Sequence, residues 1–212
     1  MSVLFAPRGL PLVYMGVWAL WTALLRPLAG ESIFETLERA GNYGVPLALL
    51  LIPGTLRTWG SLLTRVERAA PDGASLPNVR RVLQWTTVLL LLGHGGLGAF
   101  AVNPAIGIHY GAVGLPAQAA VAGGWFEIGL AAAVAMRPRV GLLLWVAAWK
   151  IGTESLFIIS GAPIWEFVER AGSYAAPLAL ALLQKARQPS AATMLIVDQG
   201  DDSRIATWPR RA

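Results

Sequence analysis

Residues 34–51 read FETLERAGNYGVPLALLL, and residues 165–182 read WEFVERAGSYAAPLALAL. Aligned without a gap at an offset of 131, Glu35, Glu38, Arg39, Ala40, Gly41, Tyr43, Pro46, Leu47 and Ala48 recur as Glu166, Glu169, Arg170, Ala171, Gly172, Tyr174, Pro177, Leu178 and Ala179. Upstream, the same offset pairs Trp18 with Trp149, Thr22 with Thr153 and Gly30 with Gly161. Agreement that includes charged, aromatic, proline and glycine positions exceeds a shared apolar bias, so the sequence predicts copies of one unit. A weaker version lies between them. Trp85 and Tyr110 are 25 residues apart, as are Trp18 and Tyr43, and Trp149 and Tyr174. The neighbours of each tyrosine agree in kind: Asn42-Tyr43-Gly44, His109-Tyr110-Gly111, Ser173-Tyr174-Ala175. The expectation is three consecutive versions of one unit.

The solvent of that unit follows from its composition. Charged residues make up 14% of the 212, and mean hydropathy is +0.55. Soluble domains carry about 25% charged residues, so the deficit points to a chain that lives in lipid. The absence of cysteine excludes disulfides, thiolate metal sites and cysteine nucleophiles. The apolar run PLVYMGVWALWTALL after Arg8 aligns with residues 142–156, which predicts a structural segment rather than a removed leader.

A spanning helix needs about 20 predominantly apolar residues. The expected spans are about 9–26, 40–56, 82–102, 113–136, 140–160 and 165–184. This is an all-α polytopic membrane bundle of six transmembrane helices, paired as hairpin repeats over about 9–56, 82–136 and 140–184. Together, residues 1–184 form a single transmembrane domain, followed by a flexible cytoplasmic tail from 185 to 212. With both termini cytoplasmic, 13 of the 17 basic residues fall inside and Arg26, Arg39 and Arg170 outside, in keeping with the positive-inside rule. The long inner loop, 57–81, carries LLTRVERA as a short surface helix, and MLIVD in the tail is too short to span.

Two groups of ionisable residues stand out. On a helix, Glu35 shares a face with Glu38 and Arg39, and Glu166 with Glu169 and Arg170. The simple reading is a self-neutralising pair at each outer helix end. The sharper one has both motifs converging on one outward-facing acidic pocket. The second group is buried by sequence: His94 in LLLLGHGGLGAF, Glu127 in GGWFEIGLAAA, and Lys150 and Glu154 in WKIGTESLF. Ionisable groups in a span are costly unless they turn inward and pair. They form either a polar network that fixes helix packing or an internal polar site, such as a proton relay or a pocket for a quinone or lipid head group.

His94 and His109 are the two histidines, one mid-span and one near the outer surface, a poor arrangement for haem. His109 occupies the slot of Asn42 and Ser173, which predicts a local hydrogen bond at a helix start. Trp18, Trp85 and Trp149 are expected to pack between helices, and Trp165 to anchor at the interface. The glycines of GHGGLG and GIHYG are expected to allow close helix approach. Phosphate-binding, dinucleotide-binding, metalloprotease and serine-hydrolase motifs are absent.

From residue 80 the order of features resembles the DoxX-like family of small bacterial membrane proteins. Arg81 opens a span, GHGGLGAF closes it, and GLP follows at 114–116. A span with Glu127, an RPR turn and a further apolar span complete the likeness over residues 80–184. The resemblance implies a four-helix bundle in the bacterial inner membrane, attached to oxidoreductase machinery; the extra N-terminal hairpin and the duplicated Glu-Arg motif depart from it. The resulting expectation is an accessory subunit of a respiratory or quinone-linked membrane complex. Its partners are the bilayer and other subunits, not nucleic acid. No cofactor is predicted, though a quinone or lipid is admitted. The alternative is a small transporter or proton-coupled permease using the same residues.

Overall fold

The computed structural model describes residues 8–52, 60, 63, 75–101 and 104–186. Among them the helices are α1 (Gly9–Leu28), α2 (Ile33–Glu38), α3 (Ala40–Leu50), α4 (Leu76–Ala99), α5 (Pro104–Gly111), α6 (Ala117–Met136), α7 (Val140–Ile159), α8 (Ile164–Glu169) and α9 (Ala171–Lys185). No strand accompanies them among the described residues. Four of them, α1, α4, α6 and α7, are long and apolar enough to cross a bilayer.

The two expected spans at 40–56 and 165–184 are shorter helices, α3 and α9, each preceded by a six-residue helix. The break falls at Arg39 and at Arg170, where the backbone leaves the helical well (φ −81°, ψ 7° and φ −85°, ψ 10°). Residues 53–56, the LLTRVERA segment apart from Leu63, and the tail with MLIVD lie outside the described residues.

The boundaries of α1 and α2 coincide with those of α7 and α8 at the offset of 131, and α3 and α9 begin in the same register. Local chemistry explains why. After α1, Glu31 N–H donates to the Arg26 carbonyl and Gly30 N–H to the Pro27 carbonyl; after α7, Ala162 and Gly161 do the same to Phe157 and Ile158. This helix-ending motif needs a left-handed residue, supplied by Gly30 (φ +88°) and Gly161 (φ +94°). The tyrosines match too: Tyr43 Oη donates to the Thr36 carbonyl and Tyr174 Oη to the Phe167 carbonyl, each at 3.2 Å. The central version differs, because Tyr110 lies in the short helix α5 rather than in the helix that follows it.

The most buried helix, α4, packs against α2, α3, α6 and α9. The glycines of GHGGLG provide the contact on two faces. A Cβ on Gly93 would run into the backbone nitrogen of Glu38, and one on Gly96 into the Phe34 ring. On the other face, Gly95 and Gly98 meet the backbone of Gly124 and Ala120 in α6. By contrast, GIHYG makes no tight approach: a Cβ on Gly107 would be in ordinary contact with Ala117 of α6 at 3.9 Å, and one on Gly111 would meet nothing within 4 Å. Trp18 and Trp85 correct the sequence reading, being 55% and 53% exposed. In a bundle whose outside is lipid, a large apolar side chain gains nothing by facing inward, and Trp149 alone of the three packs against the core.

The principal core runs from Ala40 and Leu90 beside the Glu-Arg motifs to the end of the bundle away from them. It includes Val79, Leu83, Leu91, Val134, Leu143, Val146 and Leu180. A smaller cluster of Leu97, Ile106, Tyr110 and Ala120 sits under α5.

Candidate functional site

The two Glu-Arg motifs meet. Helices α3 and α9 cross where Gly41 touches Gly172, so closely that a Cβ on either would lie 2.6 Å from the other's carbonyl carbon. Glycine is required there because no side chain fits between the backbones. Around this point the pairing is reciprocal: Arg39 Nη1 lies 3.5 Å from Glu169 Oε1, and Arg170 Nε 3.9 Å from Glu38 Oε1. Each arginine reaches the other copy's glutamate, the pattern of a twofold interface built within one chain.

Expected within-motif pairing holds for one copy, where Arg170 Nη1 binds Glu166 Oε2 at 2.6 Å. In the first copy Glu35 lies 3.7 Å from Arg26, at the end of α1.

Below the crossing, the second group of residues continues the first. Arg170 Nε stands 3.6 Å from Glu154 Oε2, and its guanidinium lies 4.0 Å above the Phe157 ring. Lys150 Nζ is 3.1 Å from Glu154 Oε1 and 3.4 Å from Glu127 Oε1. Glu127 Oε2 is 2.7 Å from His94 Nδ1, and Trp149 Nε1 donates to Glu127 Oε1 at 2.8 Å. Ser173 Oγ donates to Glu154 Oε1 at 3.1 Å. Lys150, Glu127 and Glu154 are each 1% exposed. A single chain of contacts thus runs from Glu38 through Arg170, Glu154 and Lys150 to Glu127 and His94, with the Arg39–Glu169 pair beside it.

The spacing of the sequence positions these groups. Lys150 and Glu154 lie one turn apart on the inner face of α7, which also buries Leu143, Val146 and Ala147. Glu127 shares the inner face of α6 with Gly124 and Leu130. His94 can approach it because Gly95 and Gly98 let α4 and α6 close together. Trp149 and Ser173 were not singled out by sequence as ligands of these carboxylates. The identical offset of Gly41 and Gly172 was the available hint that the two motifs meet.

Glu127 is fully engaged, with both oxygens contacted. Glu154 is not: its Oε2 is buried without a hydrogen bond, as are Nε of Arg39 and Nε of Arg170. Glu154 and both arginines line a cavity of about 20 Å3, together with Glu38, Asn42, Leu90, Lys150, Glu169 and Ser173. About 10–15 Å3 accommodates one water, so the cavity has room for a water and not for a head group.

His109 departs from the expected local cap. Its Nδ1 lies 2.8 Å from Ser160 Oγ at the end of α7. Because Ser160 Oγ donates its own proton to the Phe157 carbonyl, His109 Nδ1 carries the hydrogen. Burial and then the Arg170 charge hold His109 below the usual histidine range. A depressed folded pKa means that the unfolded chain takes up the proton first. The contribution is therefore present above about pH 6.5 and lost as pH falls from there through the folded pKa. Thermal unfolding in detergent should show an acid-side loss in the wild type that shrinks in His109→Gln; identical pH profiles would contradict it.

The four apolar helices and the inward-turned ion pairs define an α-helical membrane protein. Comparison of the chain with protein-family models, with curated proteins and with solved structures finds no match.

Proposed function

We propose that the chain is an accessory subunit of a bacterial inner-membrane complex, respiratory or quinone-linked and DoxX-like in organisation, whose polar network serves as structural framework. In this reading α2–α3 and α8–α9 complete six crossings in three hairpins, with the Glu-Arg motifs on the outer side and both termini in the cytoplasm. Arg80, Arg137, Arg139 and Lys185 stand at the opposite end of the bundle from Arg39 and Arg170, which favours that orientation.

The observation that carries the reading is the one-sidedness of the network. It ends at Glu127 and His94, and an uncharged layer of Leu83, Val134, Leu143 and Val146 fills the space from there toward Arg80, Arg137 and Arg139. A permease needs access from both sides, and the cavity among the ion pairs, at about 20 Å3, is too small for a quinone head group. The permease reading keeps one point in its favour: Glu154 Oε2 and Arg170 Nε face each other without hydrogen bonds, as in a site that rearranges.

Reconstitution separates the two. Liposomes containing the purified protein should lose an imposed pH gradient no faster than empty ones, while gentle detergent extraction from the native membrane should bring partner subunits with it. A proton or solute flux that Glu127→Gln abolishes would replace the subunit reading by the permease.

A further inference from the structure

We propose that copies of this chain associate head to tail, the exposed ridge of α1 in one copy seating in the trough along α7 of the next. The proposal needs only that the chain lies in a bilayer, not that it serves as an accessory subunit. On its free face α1 carries Leu10, Tyr14, Val17, Trp21, Leu24 and Leu28, spaced 4-3-4-3-4 and all exposed. That is the seam spacing of one helix laid along another.

The matching positions of α7, 131 residues on, are Gly141, Trp145, Ala148, Gly152, Ser155 and Ile159. Leu10, Val17, Trp21 and Leu24 are replaced by the small residues Gly141, Ala148, Gly152 and Ser155, while Trp145 and Ile159 stay large and exposed at the other two positions. A Cβ on Gly141 or Gly152 would meet nothing within 4 Å. Between Trp145, Trp149, Gly152 and Tyr110 of α5 the result is an open apolar groove of about 360 Å3. The same helix position therefore stands as a ridge in one copy of the motif and as a trough in the other.

Direction and depth agree as well. Both helices end at the level of the Glu-Arg motifs, so α1 of one molecule meets α7 of another in parallel, with Trp21 level with Gly152. Neither stripe contains a charge. Small residues on a membrane helix let a neighbour approach closely, and a trough with gaps at Ala148 and Gly152 accepts side chains at the ridge's spacing. Because α1 packs on α3 and α7 on α9, either side of the Gly41–Gly172 crossing, ridge and trough lie on opposite flanks. The contact is heterologous and builds a ring or a row.

The chain has no cysteine, so introduced ones report cleanly. Val17→Cys and Ala148→Cys, on separate copies co-expressed in one membrane, should give an oxidised dimer that neither gives alone. Gly152→Leu, whose Cβ meets nothing of its own chain within 4 Å, should lower that yield at least tenfold without changing the unfolding temperature. Light scattering on protein extracted with its lipids should show an oligomer. A dimer from Val17→Cys alone would mean that α1 meets α1 and would overturn the proposal. So would an adduct with a different protein, a yield indifferent to Gly152→Leu, or a monomer whose groove is filled by lipid. Failure of the subunit reading shows in the flux and co-purification measurements and leaves these results untouched.

Discussion

Lys150→Met should destabilise the protein by about 3–5 kcal/mol, the cost of leaving buried charge uncompensated. Lys150 Nζ sits within 3.4 Å of both Glu127 and Glu154, and all three are 1% exposed. Its removal leaves two carboxylates facing each other in a medium that solvates neither. Lys150→Met with Glu154→Gln should be more stable than Lys150→Met alone, because Glu127 keeps His94 and Trp149 while the amide carries no charge. Unfolding in detergent, followed by tryptophan fluorescence, measures both. A single variant within about 1 kcal/mol of wild type, the size of an ordinary substitution, would show that water or the bilayer compensates these carboxylates.

The sequence alone leads to a milder expectation. Lys150 and Glu154, four residues apart on one helix, read as a pair that neutralises itself, so that Lys150→Met costs little. What the spacing does not disclose is the second carboxylate, Glu127, delivered by another helix.

The second large effect belongs to the crossing of α3 and α9. Gly41→Ala and Gly172→Ala should each cost at least the 1–3 kcal/mol of ordinary overpacking, because each methyl would meet backbone rather than a side chain able to turn away. The near-twofold arrangement adds a sharper expectation. Once one methyl has driven the helices apart, the second meets little, so the double variant should fall well short of the sum of the singles. Additive costs would mean that the two glycines act in separate contacts. The reciprocal ion pairs Arg39–Glu169 and Arg170–Glu38 depend on the same separation.

Much of the architecture is legible in the residues because it rests on local chemistry. Gly30 and Gly161 mark helix ends, since a left-handed residue is needed there. The inward placement of His94, Glu127, Lys150 and Glu154 follows from the cost of charge in lipid. The reading goes astray where a residue type serves either of two solvents. Trp18 and Trp85 suit lipid as well as a helix interface, and only the neighbours decide. His109 fails for another reason: its partner, Ser160, lies 51 residues away, beyond any local pattern. Nor does spacing reveal that each arginine serves the opposite copy's glutamate, since that contact arises only when α3 and α9 cross.

The apolar layer beneath Glu127 has an electrical consequence. A membrane potential falls across whatever insulates best, and each elementary charge moved through 100 mV gains about 2.3 kcal/mol. Here the leucine and valine layer carries no charge, while the ionised layer holds buried groups that neutralise one another in pairs. Energising the membrane should then leave the arginines and glutamates almost unmoved and load the field on side chains that carry nothing to respond with.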